Sequence, residues 1–364
     1  MNNNSSFENV DLNLMREVEE TPKIIESLIR KYNEIERVTE TALSENMPDS
    51  ILYVGCGSSY YAALKSVYPF LTELSTIKAL ASPGSEALFL MENGGFKQSS
   101  RRKGLIVLFS RSGETGEIVS IVEKARKLHL KTMGFTCSEG SFLEKNVDYA
   151  VVFRDCYEKS TYMTKSFIAL TLMGIISSLV ILDRIGVYRG TNIKEELREL
   201  FAAIESVVRN KDKIRSLAES TINRELFVIL APRDLYPIAL EAALKFTEIS
   251  YTYSYAMHAL EFRHGPIALL EKRDRVQIIV LSSPHDASFP YVTKLVNELS
   301  DQGFNILHFS SIDNADYKLD LKKNTHILSS AFILPFYYFS IYRALILGFN
   351  PDYPRHISKV IRTI

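Results

Sequence analysis

Leu105-Ile-Val-Leu-Phe-Ser110-Arg-Ser-Gly-Glu-Thr115 joins an apolar run to a hydroxyl-rich turn, and a helical pattern opens behind it over residues 118–128. Five apolar residues in a row suit a parallel strand covered on both faces. The turn offers the Ser110, Ser112 and Thr115 hydroxyls, Gly113 lets the backbone curl closely, and helix N-terminal amides attract anions at such a mouth. Strand, hydroxyl loop and helix together make a phosphate cradle, to which Arg111 adds a charge-assisted contact. The alternative is a plain helix cap, with Ser112 or Thr115 satisfying free amides. No lysine follows as in a nucleotide P-loop, so a small phosphomonoester suits the loop better than a triphosphate.

Working outward, residues 51–54 read as a strand, Gly55-Cys-Gly-Ser58-Ser59 as a tight turn, and the following residues to about 71 as a helix. Further strands are expected at 77–81, 131–136 and 149–153, with helices between them and a long helix at 163–182. Residues 184–192 carry two glycines and read as a linker. A second series follows: helical segments over 193–221, strands at 226–230, 276–281, 305–309 and 326–328, a helix at 238–249 and a final helix at 332–347. Before all of this, residues 11–43 are amphipathic, with Thr21-Pro22 as a break between two helices. Alternating strands and helices imply an α/β fold of two tandem domains, each a doubly wound parallel sheet flanked by helices. The expected division is an N-terminal helical segment (1–45), a first domain (46–188), a second domain (189–350) and a C-terminal tail (351–364).

Composition narrows the function. Hydrophobic residues make up 46% of the 364, enough for two cores, and Lys+Arg and Asp+Glu are both 43. That balance lacks the basic bias of a nucleic-acid surface. Arg101-Arg102-Lys103 and Lys322-Lys323 are short clusters that read as solvated loops. Cys56, Cys137 and Cys156 fit neither a disulfide framework nor a metal spacing, which points to a reducing cytosol and to no bound metal. The N-terminus is polar and has no apolar signal core. Residues 168–182 form the longest apolar stretch, but Ser177-Ser178 interrupt it and it falls short of the ~20 residues of a span, so a buried helix and no membrane are expected.

The Gly55 turn resembles the opening of a dinucleotide fingerprint, but Tyr60 stands where the third glycine belongs. It is read instead as a turn aiming Ser58 and Ser59 at the carboxyl edge of the sheet, where ligands sit. The matching loop of the second series, Leu281-Ser-Ser-Pro-His-Asp286, loses an amide to Pro284 and gains the charge of Asp286, so no phosphate site is expected there. Chemistry-bearing residues cluster further on. Lys245 and Glu248 lie three apart on one helix face, either as a surface ion pair or as part of a site. His264 precedes Gly265-Pro266 and is held in a non-helical turn. A carboxylate, an amine and an imidazole are the groups needed for proton transfer at a sugar carbonyl.

Taken jointly, Gly55-Cys-Gly-Ser-Ser59, Phe109-Ser-Arg-Ser-Gly-Glu-Thr115, Tyr236-Pro-Ile-Ala-Leu-Glu241, Ala243-Leu-Lys-Phe-Thr-Glu-Ile-Ser-Tyr251 and Glu261-Phe-Arg-His-Gly-Pro266 resemble the sugar isomerase (SIS) domain family. The likeness runs from about residue 40 to the end and is closest to the isomerase half of glucosamine-6-phosphate synthase and the related deaminases. The tail Pro354-Arg-His-Ile-Ser-Lys359 resembles that family's terminal pattern. The resemblance implies that Ser58, Ser59, Ser110, Arg111, Ser112 and Thr115 hold the phosphate and nearby hydroxyls of a phosphosugar. It further implies Glu248 as the C1–C2 proton shuttle, His264 as the ring-opening group supplied by a neighbouring subunit of a homodimer, Lys245 as an aid at C2, and Lys359 at the open-chain carbonyl. Family synthases carry Gln where Arg111 stands. No cofactor is implied. The synthase's glutamine-hydrolysing domain has no counterpart before Cys56, so the expected direction is catabolic: glucosamine 6-phosphate to fructose 6-phosphate and ammonia, in the cytoplasm. A deglycase releasing an amino acid, an aldose–ketose isomerase and a phosphosugar-sensing module are the alternatives.

Overall fold

The computed structural model describes residues 12–73, 75–93, 103–188, 190 and 192–364. The polar N-terminus and the Arg101-Arg102 pair lie outside them. The chain divides into two compact units, one made of Lys23–Glu158, Lys165–Phe201 and Ser358–Ile364, the other of Met1–Pro22, Lys159–Thr164 and Ala202–Ile357.

In the first unit, β1 (Ser50–Gly55), β2 (Lys78–Pro83), β3 (Gly104–Ser110), β4 (Lys131–Thr136) and β5 (Tyr149–Val152) form a parallel sheet in the order β2-β1-β3-β4-β5. All seven residues of β3 are buried, which is why its sequence is apolar without alternation. One face packs on α4 (Gly84–Glu92), α5 (Gly116–Lys127) and α6 (Phe142–Asn146) through Leu52, Ile106, Leu108, Ile118 and Leu143. Helices α3 (Ser58–Thr72) and α7 (Lys165–Arg184) pack on each other. The α7 helix is long and apolar enough to cross a membrane, yet 94% of that stretch is buried inside the fold, as expected of a core helix. Its Ser178 accounts for one polar group there by bonding Tyr53 of β1 at 2.8 Å.

The chain leaves β1 toward β2 on one side and enters β3 on the other, so the loops after β1 and β3 emerge side by side at the switch point of the sheet, with Val54 opposite Leu108. Gly55 ends β1 there because a Cβ would lie 2.3 Å from the Ser59 backbone at the start of α3. Gly55→Ala is therefore expected to cost about 3 kcal/mol, the upper end for overpacking, read as a lower urea midpoint with an unchanged slope.

The second unit repeats the topology. β6 (Leu226–Ala231), β7 (Tyr253–His258), β8 (Val276–Leu281), β9 (Ile306–Ser310) and β10 (Tyr317–Lys318) run parallel in the order β10-β9-β8-β6-β7. α11 (Phe289–Asp301) covers one face through Val292, Leu295 and Leu299. On the other, α10 (Tyr236–Ser250) and α12 (Leu334–Ile346) meet β6 and β9 through an aromatic cluster of Phe227, Phe246, Phe309, Phe336 and Phe339. The break at Thr21-Pro22 separates α1 (Asn13–Glu19) from α2 (Thr21–Glu45), and α8 (Ile193–Arg209) and α9 (Lys211–Ser220) precede β6.

Two expectations need correction. Residues 326–328 are not a strand: His326 bonds Asp234, and the Leu328 N–H donates to Thr325 Oγ1, so the segment turns into the 3₁₀ helix Leu328–Ile333. The fifth strand is instead the two-residue β10. Edge strand β7, half exposed along its length, was not expected at all.

Candidate active site

The first set of expected residues lies at the switch point of the first sheet. Ser58 and Ser59 form the buried opening turn of α3, behind Gly57 with φ of 54°. Across from them, Ser110 Oγ accepts the Gly113 N–H at 3.0 Å and lies 3.3 Å from Thr115 Oγ1. Ser112 Oγ accepts the Glu114 N–H at 3.2 Å. Gly113 turns with φ of 67°, and a Cβ there would strike Ser141 Oγ at 2.4 Å. Thr115 is the residue before α5 but makes no side-chain cap, and Ser112 bonds an amide that precedes the helix, so the helix-cap alternative holds for neither. The loop is thus internally braced, with hydroxyls gathered at a helix mouth whose dipole favours an anion.

Arg111 stands in the same loop but its side chain is buried at 5% exposure, 3.5 Å from Glu158, which is fully buried. Glu158 in turn accepts from the Ser166 N–H and hydroxyl at the start of α7. A second guanidinium bond runs at 3.0 Å to the carbonyl of Lys359 in the tail. The Lys359 ammonium donates to the Glu158 carbonyl and, at 3.2 Å, to Tyr157 Oη, over whose ring it sits at 4.5 Å. The tail continues along α5, where Gly116 N–H donates to the Ile361 carbonyl at 3.0 Å.

The second set lies on and after α10. Glu241, Lys245 and Glu248 recur at four and three residues, so one helix face carries all three. Lys245 is 1% exposed, 3.3 Å from the fully buried Glu241 and 2.6 Å from Glu248, which keeps 22% of its side chain accessible. The surface ion pair is therefore overturned: the ammonium is buried between two carboxylates. Burial opposes its charge, but Glu241 and Glu248 prevail and hold Lys245 above the ordinary lysine pKa. It acts here as a fixed positive charge and not as a base. The phenol of Tyr162, also buried, is pushed up by burial, with Tyr251 and the charges of Glu248 and Asp352 adding to the shift. His264 follows the 3₁₀ turn Ala259–Arg263 and is exposed, with Gly265 at φ of 118°. Among the described residues no hydrogen bond or ion pair links His264 to Glu248.

Four participants escaped sequence reasoning: Glu241, Tyr162, Glu158 and Tyr157. Only Glu241 left a signal, its spacing from Lys245 and Glu248. In the second sheet the equivalent loop after β8 carries Asp286, which accepts the Ser288 N–H at 2.8 Å and lies 3.4 Å from Arg233 Nε.

Two parallel five-stranded sheets of one strand order, flanked by helices, define a tandem doubly wound α/β protein, and the switch point of the first sheet is lined by hydroxyls. The chain belongs to the SIS-domain family, whose model matches residues 47–177 and 222–347. It is similar to the isomerizing glutamine–fructose-6-phosphate aminotransferase of Buchnera aphidicola, 27% identical over 95% of this chain, and spans 58% of that relative's length. Among solved structures it resembles the C-terminal domain of glucosamine-fructose-6-phosphate aminotransferase from Francisella tularensis (22% identity, TM-score 0.81, 96% of this chain and all of that one). It also resembles the glucosamine-6-phosphate deaminase of Thermotoga maritima (26% identity, TM-score 0.74, 96% and 99%).

Proposed function

We propose that this chain is a phosphosugar isomerase of the deaminating kind, converting glucosamine 6-phosphate to fructose 6-phosphate and ammonia without a cofactor. Ser58, Ser59, Ser110, Ser112 and Thr115 hold the phosphate at the switch point of the first sheet. Glu248 takes the proton from one of C1 and C2 and returns it to the other; hydrolysis of the C2 imine then releases ammonia. Lys245, locked in its charged form, keeps Glu248 oriented and steadies negative charge developing on the substrate. His264 opens the ring, delivered from the second copy in a homodimer, and Lys359 meets the open-chain carbonyl. Deamination is preferred over plain isomerisation because the Thermotoga maritima deaminase is 26% identical to this chain and the tagatose-6-phosphate ketose/aldose isomerase of Escherichia coli 19%, at similar coverage.

The observation that carries the proposal is the buried Glu241–Lys245–Glu248 triad with its one accessible carboxylate. Its test is a panel of phosphosugars and glycated phosphosugars assayed for ammonia, free amino acid and ketose. Ammonia from glucosamine 6-phosphate supports it. An amino acid from a glycated sugar phosphate, ketose without ammonia, or tight binding with no turnover would transfer the assignment to a deglycase, an aldose–ketose isomerase or a sensor.

A further inference from the structure

We propose that Arg111 is a positioning residue for the C-terminal tail, clamping Lys359 through Glu158, and is not a phosphate ligand. It rests on the functional reading above only for what Lys359 does once held. The geometry stands by itself. Glu158 is a fully buried carboxylate that takes the Ser166 N–H and hydroxyl at the mouth of α7. A buried carboxylate needs a counter-charge, and the Arg111 guanidinium, itself 5% exposed, lies 3.5 Å away. A guanidinium presents several donors in a fixed fork, so holding Glu158 leaves Nη2 aimed elsewhere, and it donates to the Lys359 carbonyl. The same Glu158 offers its main-chain carbonyl to the Lys359 ammonium, while Tyr157 covers that ammonium with its ring and hydroxyl.

Lys359 is thereby fixed at both ends, its backbone by Arg111 and its amino group by Glu158 and Tyr157. Two residues on, Ile361 takes the first amide of α5, and Gly116 permits that approach because a Cβ would meet the Arg362 carbonyl at 2.7 Å. A glutamine at position 111 has neither the charge for Glu158 nor the reach of a fork. An arginine here ties the phosphate loop, the start of α7 and the tail into one unit. It gives the loop a way to set the place of a lysine far along the chain.

The test compares wild type with Arg111→Gln and Arg111→Lys in the full chain. Hydrogen exchange of peptides covering residues 358–364 is expected to quicken about tenfold in Arg111→Gln, the loss of one charge-assisted bond. Acetylation of Lys359 by acetic anhydride quickens with it. Arg111→Lys restores charge but not the fork, and recovers tail protection only in part. In turnover, kcat falls while the KM for phosphosugar and the inhibition constant of inorganic phosphate hold, and the change disappears in a Lys359→Met background. Tail exchange that stays at the wild-type rate, or a KM and phosphate inhibition constant that rise about tenfold with kcat kept, would overturn the clamp and return Arg111 to the phosphate. Arg111→Gln/Glu158→Gln, which removes both charges of the pair, guards against a global defect: it is expected to unfold cooperatively and still show the fast tail, and a protected tail in it counts against the clamp. Should wild type turn over no phosphosugar, the functional reading fails while tail exchange and acetylation still decide the clamp.

Discussion

Glu248→Gln is expected to lower turnover of glucosamine 6-phosphate by about 10²–10⁴-fold, the range for losing a positioned general base, with phosphosugar affinity nearly unchanged. Glutamine keeps the size of the side chain and one oxygen for the Lys245 ammonium, so the face of α10 stays packed. What it lacks is a site that takes a proton at one carbon and gives it back at the next. The hydroxyls proposed to hold the phosphate belong to other loops, so equilibrium binding of the substrate or of inorganic phosphate should survive. Unimpaired turnover in this variant would remove Glu248 from the chemistry.

Lys245→Met is the larger effect on folding. Lys245 is 1% exposed and Glu241 fully buried, so the substitution leaves a carboxylate in the core with its ion-pair partner gone. Breaking a buried pair in this way costs about 3–5 kcal/mol, read from the denaturant midpoint. Adding Glu241→Leu to Lys245→Met should recover much of the loss, because removing both charges is far cheaper than stranding one. The pH dependence follows from the raised pKa of Lys245. Its folded value lies above that of the unfolded chain, so its contribution is complete below the ordinary lysine range and is lost as pH climbs through the folded value. The buried tyrosines give both proteins an alkaline loss of stability, and wild type should shed more than Lys245→Met, with a steeper slope. An identical alkaline slope in both proteins would contradict the buried triad.

How much of this was legible in the sequence depended on burial. Strands covered on both faces announce themselves as unbroken apolar runs, and β3, β4 and β8 stand at or within a residue of where the sequence puts them. Edge strands have no such signature. Tyr253-Ser-Tyr-Ala-Met-His258 is half exposed and follows α10 after two residues, so nothing in its pattern separates it from a loop. His326-Ile-Leu328 misled in the opposite sense: its apolar residues are buried, but in a turn fixed by Asp234 and Thr325.

The site was legible to the same degree. Hydroxyls and glycines in the loops after β1 and β3 show in the sequence because local backbone geometry demands them. The depth of Lys245 does not show, since a charged triplet on one helix face reads the same on a surface or in a core. Nor does the partner of Arg111: a buried carboxylate and a tail carbonyl reach it from distant parts of the chain, and only folding brings them to the loop.

The central claim, that an accessible carboxylate moves a hydrogen along a held phosphosugar, is tested most directly by proton NMR in D₂O. Wild type incubated with glucosamine 6-phosphate is expected to replace the C1 or C2 hydrogen of substrate or product with deuterium as fructose 6-phosphate forms, and Glu248→Gln to leave both in place. Bound substrate that keeps both hydrogens in wild type, or equal exchange in the two proteins, would contradict it.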